Sequence, residues 1–402
     1  MTAARGLAAA LGFTLPVSVA ADNVLMGLLL VAWLLSGDFR GKWRAVRENP
    51  VALAALALFA LIALGTLHGI APWPERFHIV VKYKELLLVP LLVTTFRDPG
   101  TRRVGLACFG AAMGVTLAVS LAFGFGLIPH APWIRGMPDN ATVFKLHLTH
   151  NILMAFAAYL YALAALDAKL AWQRWALAGL AVLASYDVLF LVQGRTGQMT
   201  LLALLTLGFW ERLGRRGLPL GLAASAVVAA VAMTSPNFGG KFARGVDEIR
   251  EWQPGQPTEF SMALRMEFYR NSAAILREHP LLGIGTGSYA AAYRARVDGT
   301  GAPITRNPHS EYLTLGVQLG LAGIAALVAL FLVQWRTATR LDIPLERDLA
   351  RGLVLGFVLG SVFNSMLIDH TEGLYFAWLS GLLFAGLGSA PGSGAAGGPP
   401  GA

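Results

Sequence analysis

Apolar stretches long enough to cross a bilayer recur along almost the whole chain. Such a stretch has one stable solution in lipid, a helix whose backbone groups satisfy one another. Runs of about 20 residues place spans near 6–21, 23–37, 51–69, 79–96, 104–128, 147–166, 173–192, 196–211, 217–234, 312–335, 352–369 and 374–389. The expected fold class is therefore an all-α polytopic membrane protein with about twelve transmembrane helices. The first run is interrupted by Pro16 and has Arg5 as its only basic flank. It resembles a signal peptide in length, but no small-residue cleavage site ahead of a soluble domain follows it. Composition narrows the class further. Charged residues are 14% of the chain and hydrophobic ones 55%, against about 25% charged in an average soluble domain. That excludes a nucleic-acid-binding protein despite the net charge of +9, and a disordered chain. A single cysteine, Cys108, excludes a disulfide scaffold.

Lysine and arginine in short loops report orientation. The loops around Arg40/Lys42/Arg44/Arg47, Arg97/Arg102/Arg103, Lys169/Arg174, Arg212/Arg215/Arg216 and Arg336/Arg340/Arg347/Arg351 are basic, and they are every second loop. With an even number of spans, both termini are expected in the cytoplasm. The cytoplasmic segments then hold 17 Lys/Arg and 8 Asp/Glu, so the whole excess of +9 is orientation signal, not a binding surface. The expected organisation is transmembrane helices over 1–234, a periplasmic segment over 235–311, further transmembrane helices over 312–389 and a disordered Gly/Pro-rich tail over 390–402. Within the periplasmic segment, residues 261–278 read as an amphipathic helix that ends before Pro280 and the Gly-rich turn GIGTGS.

All eight histidines fall on or near the non-cytoplasmic side. This points to proton-transfer chemistry there, or reflects short cytoplasmic loops occupied by Lys and Arg. Three positions stand out. Arg195, in VQGRTGQ, lies in a tight turn between two apolar runs. There it either snorkels to the interface or holds a ligand, with Gly194 and Gly197 allowing close approach to the backbone. Arg265 sits among apolar residues on the amphipathic helix, where it is either solvated or turned to a site. His309, after Pro308 and just before a span, is either structural or a proton acceptor. Lys82, Lys84, His150 and Arg306 are further candidate contacts. Lys82 and Lys84 lie beside Glu85 and can pair internally or meet an anion. His147 and His150 sit three apart with no carboxylate third ligand, so no metal site is expected. GIGTGS follows no strand and is read as a turn, not a nucleotide loop. No acidic pair of the metal-dependent sugar-transfer type occurs on the outer side.

The segment LREHPLLGIGTGSYAAAY followed by NPHSEYLTLGVQLGLAGI resembles the shared signature of O-antigen ligases and O-antigen polymerases. The QGRTG turn resembles that family's arginine turn between two mid-chain helices, with Gln-Gly where Ser is common. The resemblance covers the central and C-terminal two-thirds and is silent on the first hundred residues. It implies a GT-C-like glycosyltransferase of the bacterial inner membrane with its site facing the periplasm. Such an enzyme moves a glycan from undecaprenyl pyrophosphate to lipid A–core without a metal or other cofactor. Its implied partners are the donor, the acceptor and membrane lipids, with no nucleic acid. Carried over by position, Arg195 and Arg265 match the arginines that hold the pyrophosphate, and His309 the histidine at the acceptor hydroxyl. A polymerase or a protein O-oligosaccharyltransferase would use the same donor. A secondary transporter is the alternative from another class, but the two halves show no internal repeat.

Overall fold

Helix starts follow capping residues written into the chain. Asn49 ahead of Pro50 accepts from the N–H groups of Val51 and Ala52 at 3.1 and 3.0 Å, and Asp98 ahead of Pro99 from Thr101 at 2.7 Å. Each pairs a cap acceptor with a proline whose missing N–H costs nothing in the first turn. The computed structural model describes residues 1–255 and 259–387, and every regular element within them is a helix. The tail 390–402 and the end of the expected 374–389 span lie outside the described residues.

The first half holds α1 (Thr2–Thr14), α2 (Val19–Leu35), α3 (Phe39–Arg47), α4 (Pro50–Leu64), α5 (Trp73–Lys82), α6 (Leu88–Thr95), α7 (Pro99–Gly124), α8 (His147–Asp167) and α9 (Ala171–Tyr186). The second holds α10 (Arg195–Leu213), α11 (Gly217–Ala232), α12 (Lys241–Glu251), α13 (Ser261–Glu278), α14 (Tyr289–Val297), α15 (Glu311–Ala338), α16 (Pro344–Phe363) and α17 (His370–Phe384). The expected amphipathic helix is α13, at the expected boundaries.

Among the described residues six helical stretches are long and apolar enough to cross a membrane, or seven if α2 and α3, bent by 113°, form one span. The chain is a multi-pass membrane protein, but several of the twelve expected stretches are shorter or broken. The run 79–96 is split between the end of α5, a 3-10 turn at Lys84–Leu87 and α6. One of the six stretches, Arg195–Ala232, is α10 and α11 together. They pack against each other, with Thr206 and Ser225 hydroxyls 2.8 Å apart, after a turn in which Gly214 takes φ 59°. The 15-residue α17 is buried from Thr371 to Phe384. A helix enclosed by protein has no length set by lipid.

Around α17 the core is aromatic. Tyr375 and Trp378 both contact Phe109, and the Trp378 indole donates to the Ala8 carbonyl at 2.8 Å. Glycines let the neighbours close on that ring: a Cβ at Gly12 would lie 2.5 Å from Trp378. Small residues at such contacts favour close helix approach in membranes.

Three helices, α8, α10 and α16, run between two chemically different ends. At one end Arg102 meets Glu346 at 2.8 Å, Arg212 meets Asp167 at 3.1 Å and Asp348 at 3.5 Å, and Arg351 meets Glu211. The basic loops of the sequence therefore converge on one end of the bundle. Arg195 opens α10 at the opposite end, about 28 Å away for 19 residues at the helical rise.

The GIGTGS turn is a clasp between α4 and a break in α15. Gly283, Gly285 and Gly287 all have positive φ, between 67° and 88°. Cβ atoms there would meet the backbones of Gln318, Gly69 and Arg76 at 2.5, 2.2 and 2.5 Å. The turn's N–H groups go to Val317, Gln318 and Gly65 carbonyls and to the Gln318 side chain. In return Leu321, after the left-handed Gly320 (φ 64°), donates to the Pro280 carbonyl at 2.7 Å. The N–H donors of GIGTGS are thus consumed within the protein, and the segment is a turn. It fixes the N-terminal part of α15, which follows the His309 loop.

Candidate active site

Arg195 is the first residue of α10, half-buried, with its guanidinium donating to the Lys241 carbonyl at 2.9 Å. Helix α12 crosses it at Gly245, where a Cβ would stand 3.0 Å from the guanidinium carbon. The glycines flanking Arg195 serve packing, which corrects the expectation that they open the backbone to a ligand. Cβ atoms at Gly194 and Gly197 would each lie 2.6 Å from Asn151, and Asn151 donates to the Gly194 carbonyl at 3.1 Å. The turn is thus seated on α8, with the Arg195 side chain lying under α12.

Arg265 comes from α13, a different element, and is likewise half-buried. Burial first, and then the Arg195 charge, hold its guanidinium below its ordinary value, while Tyr269 and Glu248 act the other way. An arginine so shifted is still a cation at neutral pH. Among the described residues neither Arg195 nor Arg265 takes part in an ion pair, although Glu248 lies within electrostatic range of both. Glu248 itself accepts from the Met262 N–H at 2.7 Å and so ties α12 to α13. Two like charges held together without a carboxylate pair favour an anionic ligand between them.

His309 stands in a left-handed backbone conformation (φ 56°), rare for a residue with a side chain. Neighbouring groups impose it. The Asn307 side-chain carbonyl accepts from the His309 N–H at 2.8 Å and from Ser365 at 2.6 Å. The Tyr269 hydroxyl is shared between the carbonyls of His309, at 3.1 Å, and Val362, at 2.7 Å. The ring stacks on Phe268, centroids 5.9 Å apart. Arg265, Phe268 and Tyr269 all belong to α13, so one helix carries a cation and sets the histidine's backbone and ring. The ring is open to solvent, yet the protein around it penalises the imidazolium and the Arg265 charge adds to that. Both hold His309 below the ordinary histidine value, so it is neutral and able to accept a proton at neutral pH. Arg195 connects to the same loop through Thr196, whose hydroxyl accepts from Asn364 at 2.9 Å; the Asn364 carbonyl in turn accepts from Glu311.

The structure brings Arg195, Arg265 and His309 into one electrostatic neighbourhood and separates the other candidates. Lys82 and Arg306 line a neighbouring cleft. Lys84 is paired with Glu85 at 3.1 Å. His150 is fully buried, bonded to Asp187 at 2.9 Å, and Asp187 is also met by Ser120. That makes His150 part of the packing between α8 and the turn after α9. His147, one turn earlier, lies instead within range of Lys241 and Arg265.

Sequence reading missed Lys241, Tyr269 and Asn307. Burial, then the charges of Arg244 and Arg195, hold the Lys241 ammonium below its ordinary value. Tyr269 was open to detection, since it follows Arg265 by one helical turn. Lys241 was not: its approach to Arg195 depends on how α12 folds back over α10.

The fold is thus an all-helical membrane protein with a cationic cluster and a histidine together at one end of its bundle. Residues 179–328 match the family model described as O-antigen ligase, so over that stretch the chain is similar to this family. Arg195, Arg265 and His309 all fall within the match, while Lys82 precedes it. No curated protein matches the chain.

Proposed function

We propose that the protein transfers an O-antigen glycan from undecaprenyl pyrophosphate to lipid A–core at the periplasmic face of the inner membrane. The fold reading that goes with it is a GT-C-like bundle of about twelve spans with both termini cytoplasmic, supported by basic residues in every second loop. The observation that carries the function is the juxtaposition of two arginines from α10 and α13, in no ion pair among the described residues, with a histidine held neutral beside one of them. In the reaction an acceptor hydroxyl attacks the anomeric carbon of the donor sugar and the bond from that carbon to the pyrophosphate oxygen breaks. The leaving oxygen takes the electron pair, and the hydroxyl proton passes to the His309 imidazole. Arg195 and Arg265 offer bidentate donors to a charge that grows as the bond breaks, which lowers the barrier instead of only tightening ground-state binding. A histidine base contributes roughly 10²–10⁴-fold.

The test is transfer in vitro from purified lipid-linked donor to purified acceptor. His309→Ala is expected to cut turnover by about 10²–10⁴-fold, with membrane insertion and melting unchanged. Full activity of both His309→Ala and Arg265→Ala sinks the mechanism. In cells, loss of every capped lipopolysaccharide with accumulation of lipid-linked polymer marks a ligase. Core capped by single repeat units marks a polymerase. An unchanged profile with a lost solute flux would mark a transporter.

A further inference from the structure

We propose that a second, cationic cleft beside the His309 loop binds a phosphate carried by the sugars of the acceptor. The inference rests on the acceptor half of the proposed function and deepens it. The cleft has a volume of about 1010 Å³, at the upper end for small-molecule sites. Its cations come from three separate segments: Lys82 from α5, where His78 also lines the cleft, Arg294 from α14, and Arg306 from the loop before α15. His78 and Lys82 are four apart and share one face of α5. On α14 the neighbours of Arg294 are Ala290, Ala291 and Ala295, whose small side chains leave the space open.

Pairing separates these cations from others nearby. Arg296, two residues from Arg294, meets Glu278 at 2.7 Å, and Arg270 on α13 meets Glu267 at 2.6 Å. Among the described residues Lys82, Arg294 and Arg306 take part in no ion pair, although Asp369 lies within electrostatic range of Lys82. The lining also holds two carboxylates, Glu75 and Asp298. A mixed lining suits a sugar that offers both hydroxyl donors and a phosphate better than it suits a bare polyanion. The cleft extends to Asn307, whose side-chain carbonyl accepts from the His309 N–H. A saccharide lying in it therefore ends one hydrogen bond from the loop that carries the proposed base. Arg195 and Arg265 do not line the cleft, which leaves the pyrophosphate of the donor to a separate set of cations.

Anionic phospholipid headgroups share the phosphate chemistry, and the experiment separates the two sources. The full chain is placed in nanodiscs of zwitterionic lipid. It is titrated with lipid-free core oligosaccharide carrying its phosphates, and with the same oligosaccharide after chemical dephosphorylation. The phosphorylated form is expected to bind about tenfold tighter or more, a modest gain for charge-assisted hydrogen bonds. Arg294→Gln combined with Arg306→Gln should erase the difference, and Arg296→Gln should leave it intact. With lipid-anchored acceptor, the double variant should raise the acceptor KM by a similar factor and leave kcat and the donor KM unchanged. Equal affinity for the two oligosaccharides overturns the proposal. So does a preference that survives the double variant, or displacement of the phosphorylated oligosaccharide by phosphatidylglycerol added to the nanodiscs. Should the oligosaccharide bind as expected while no glycan is transferred from the lipid-linked donor, the proposed function fails and the cleft stands. Should transfer proceed without phosphate-dependent binding, the cleft fails and the proposed function stands.

Discussion

The two ends of the helix bundle use arginine in opposite ways. Where Arg102, Arg212 and Arg351 gather, each has a carboxylate partner on another helix, and the Arg102–Glu346 pair is almost fully buried. At the other end Arg195, Arg265, Arg294 and Arg306 take part in no ion pair among the described residues, and Arg195 reaches only a backbone carbonyl. Residue type is the same at both ends; partnership differs. A buried, paired charge holds elements in register, and removing its partner strands the other charge at high cost. Cations without ion pairs beside open space leave their donors to something brought from outside.

The sharpest way to break this contrast is to neutralise one arginine at each end. Arg102→Gln leaves Glu346 buried without its cation, and detergent-solubilised protein should lose about 3–5 kcal/mol of stability. Arg265→Gln should lower glycan transfer by about 10²–10³-fold, the scale of losing one transition-state donor, with melting unchanged. Should Arg265→Gln unfold the protein as readily as Arg102→Gln, the two ends are alike and the contrast fails.

Backbone strain offers a second, smaller test. Gly285 at φ 88° has the Gly69 backbone where a Cβ would sit. Gly285→Ala should cost at least about 1–3 kcal/mol and lower transfer by loosening the N-terminal part of α15. Gly299, also at positive φ but with open space around it, is the control and should lose less on the same substitution.

The pH profile sharpens the comparison at the site itself. A base must be neutral, so transfer falls as pH drops through the His309 pKa of the folded protein. The protein packed around the ring and the Arg265 charge both depress that value, which places the acid limb below 6.5, the ordinary histidine value. Residual activity of Arg265→Gln should show the limb moved up toward 6.5, since one of the two causes is gone. An unmoved limb would separate Arg265 from His309. The smallest effect is expected at the exposed Arg296–Glu278 pair, where Arg296→Gln should change stability by less than about 1 kcal/mol.

Local pattern was enough for some elements and not for others. The α13 boundaries were legible because amphipathic spacing, Pro280 and the glycine turn all act within a few residues. Arg195, Arg265 and His309 were legible as types out of place: cations or a histidine where apolar neighbours make them costly. The span 352–369 was misplaced because α16 begins earlier, at Pro344, and ends at Phe363. Its first turns carry Glu346, Asp348 and Arg351, which hydropathy counts as loop but which are neutralised by partners on α7 and α10. For His150 the partner that draws it into packing, Asp187, lies 37 positions away in the chain, beyond the reach of local pattern.

By itself the sequence determined that this chain is a bundle of membrane helices, and it singled out three residues whose types are costly among apolar neighbours. Apolar length, loop charge and capping act over a few residues and need no tertiary contact to be read. Only the tertiary structure decided which charges are neutralised, which short helices are enclosed by protein, and that α13 carries a cation while setting the backbone and ring of His309. Each of these depends on side chains far apart in sequence, whose charge and hydrogen-bonding capacity have no fixed meaning until a partner is brought within a few ångströms.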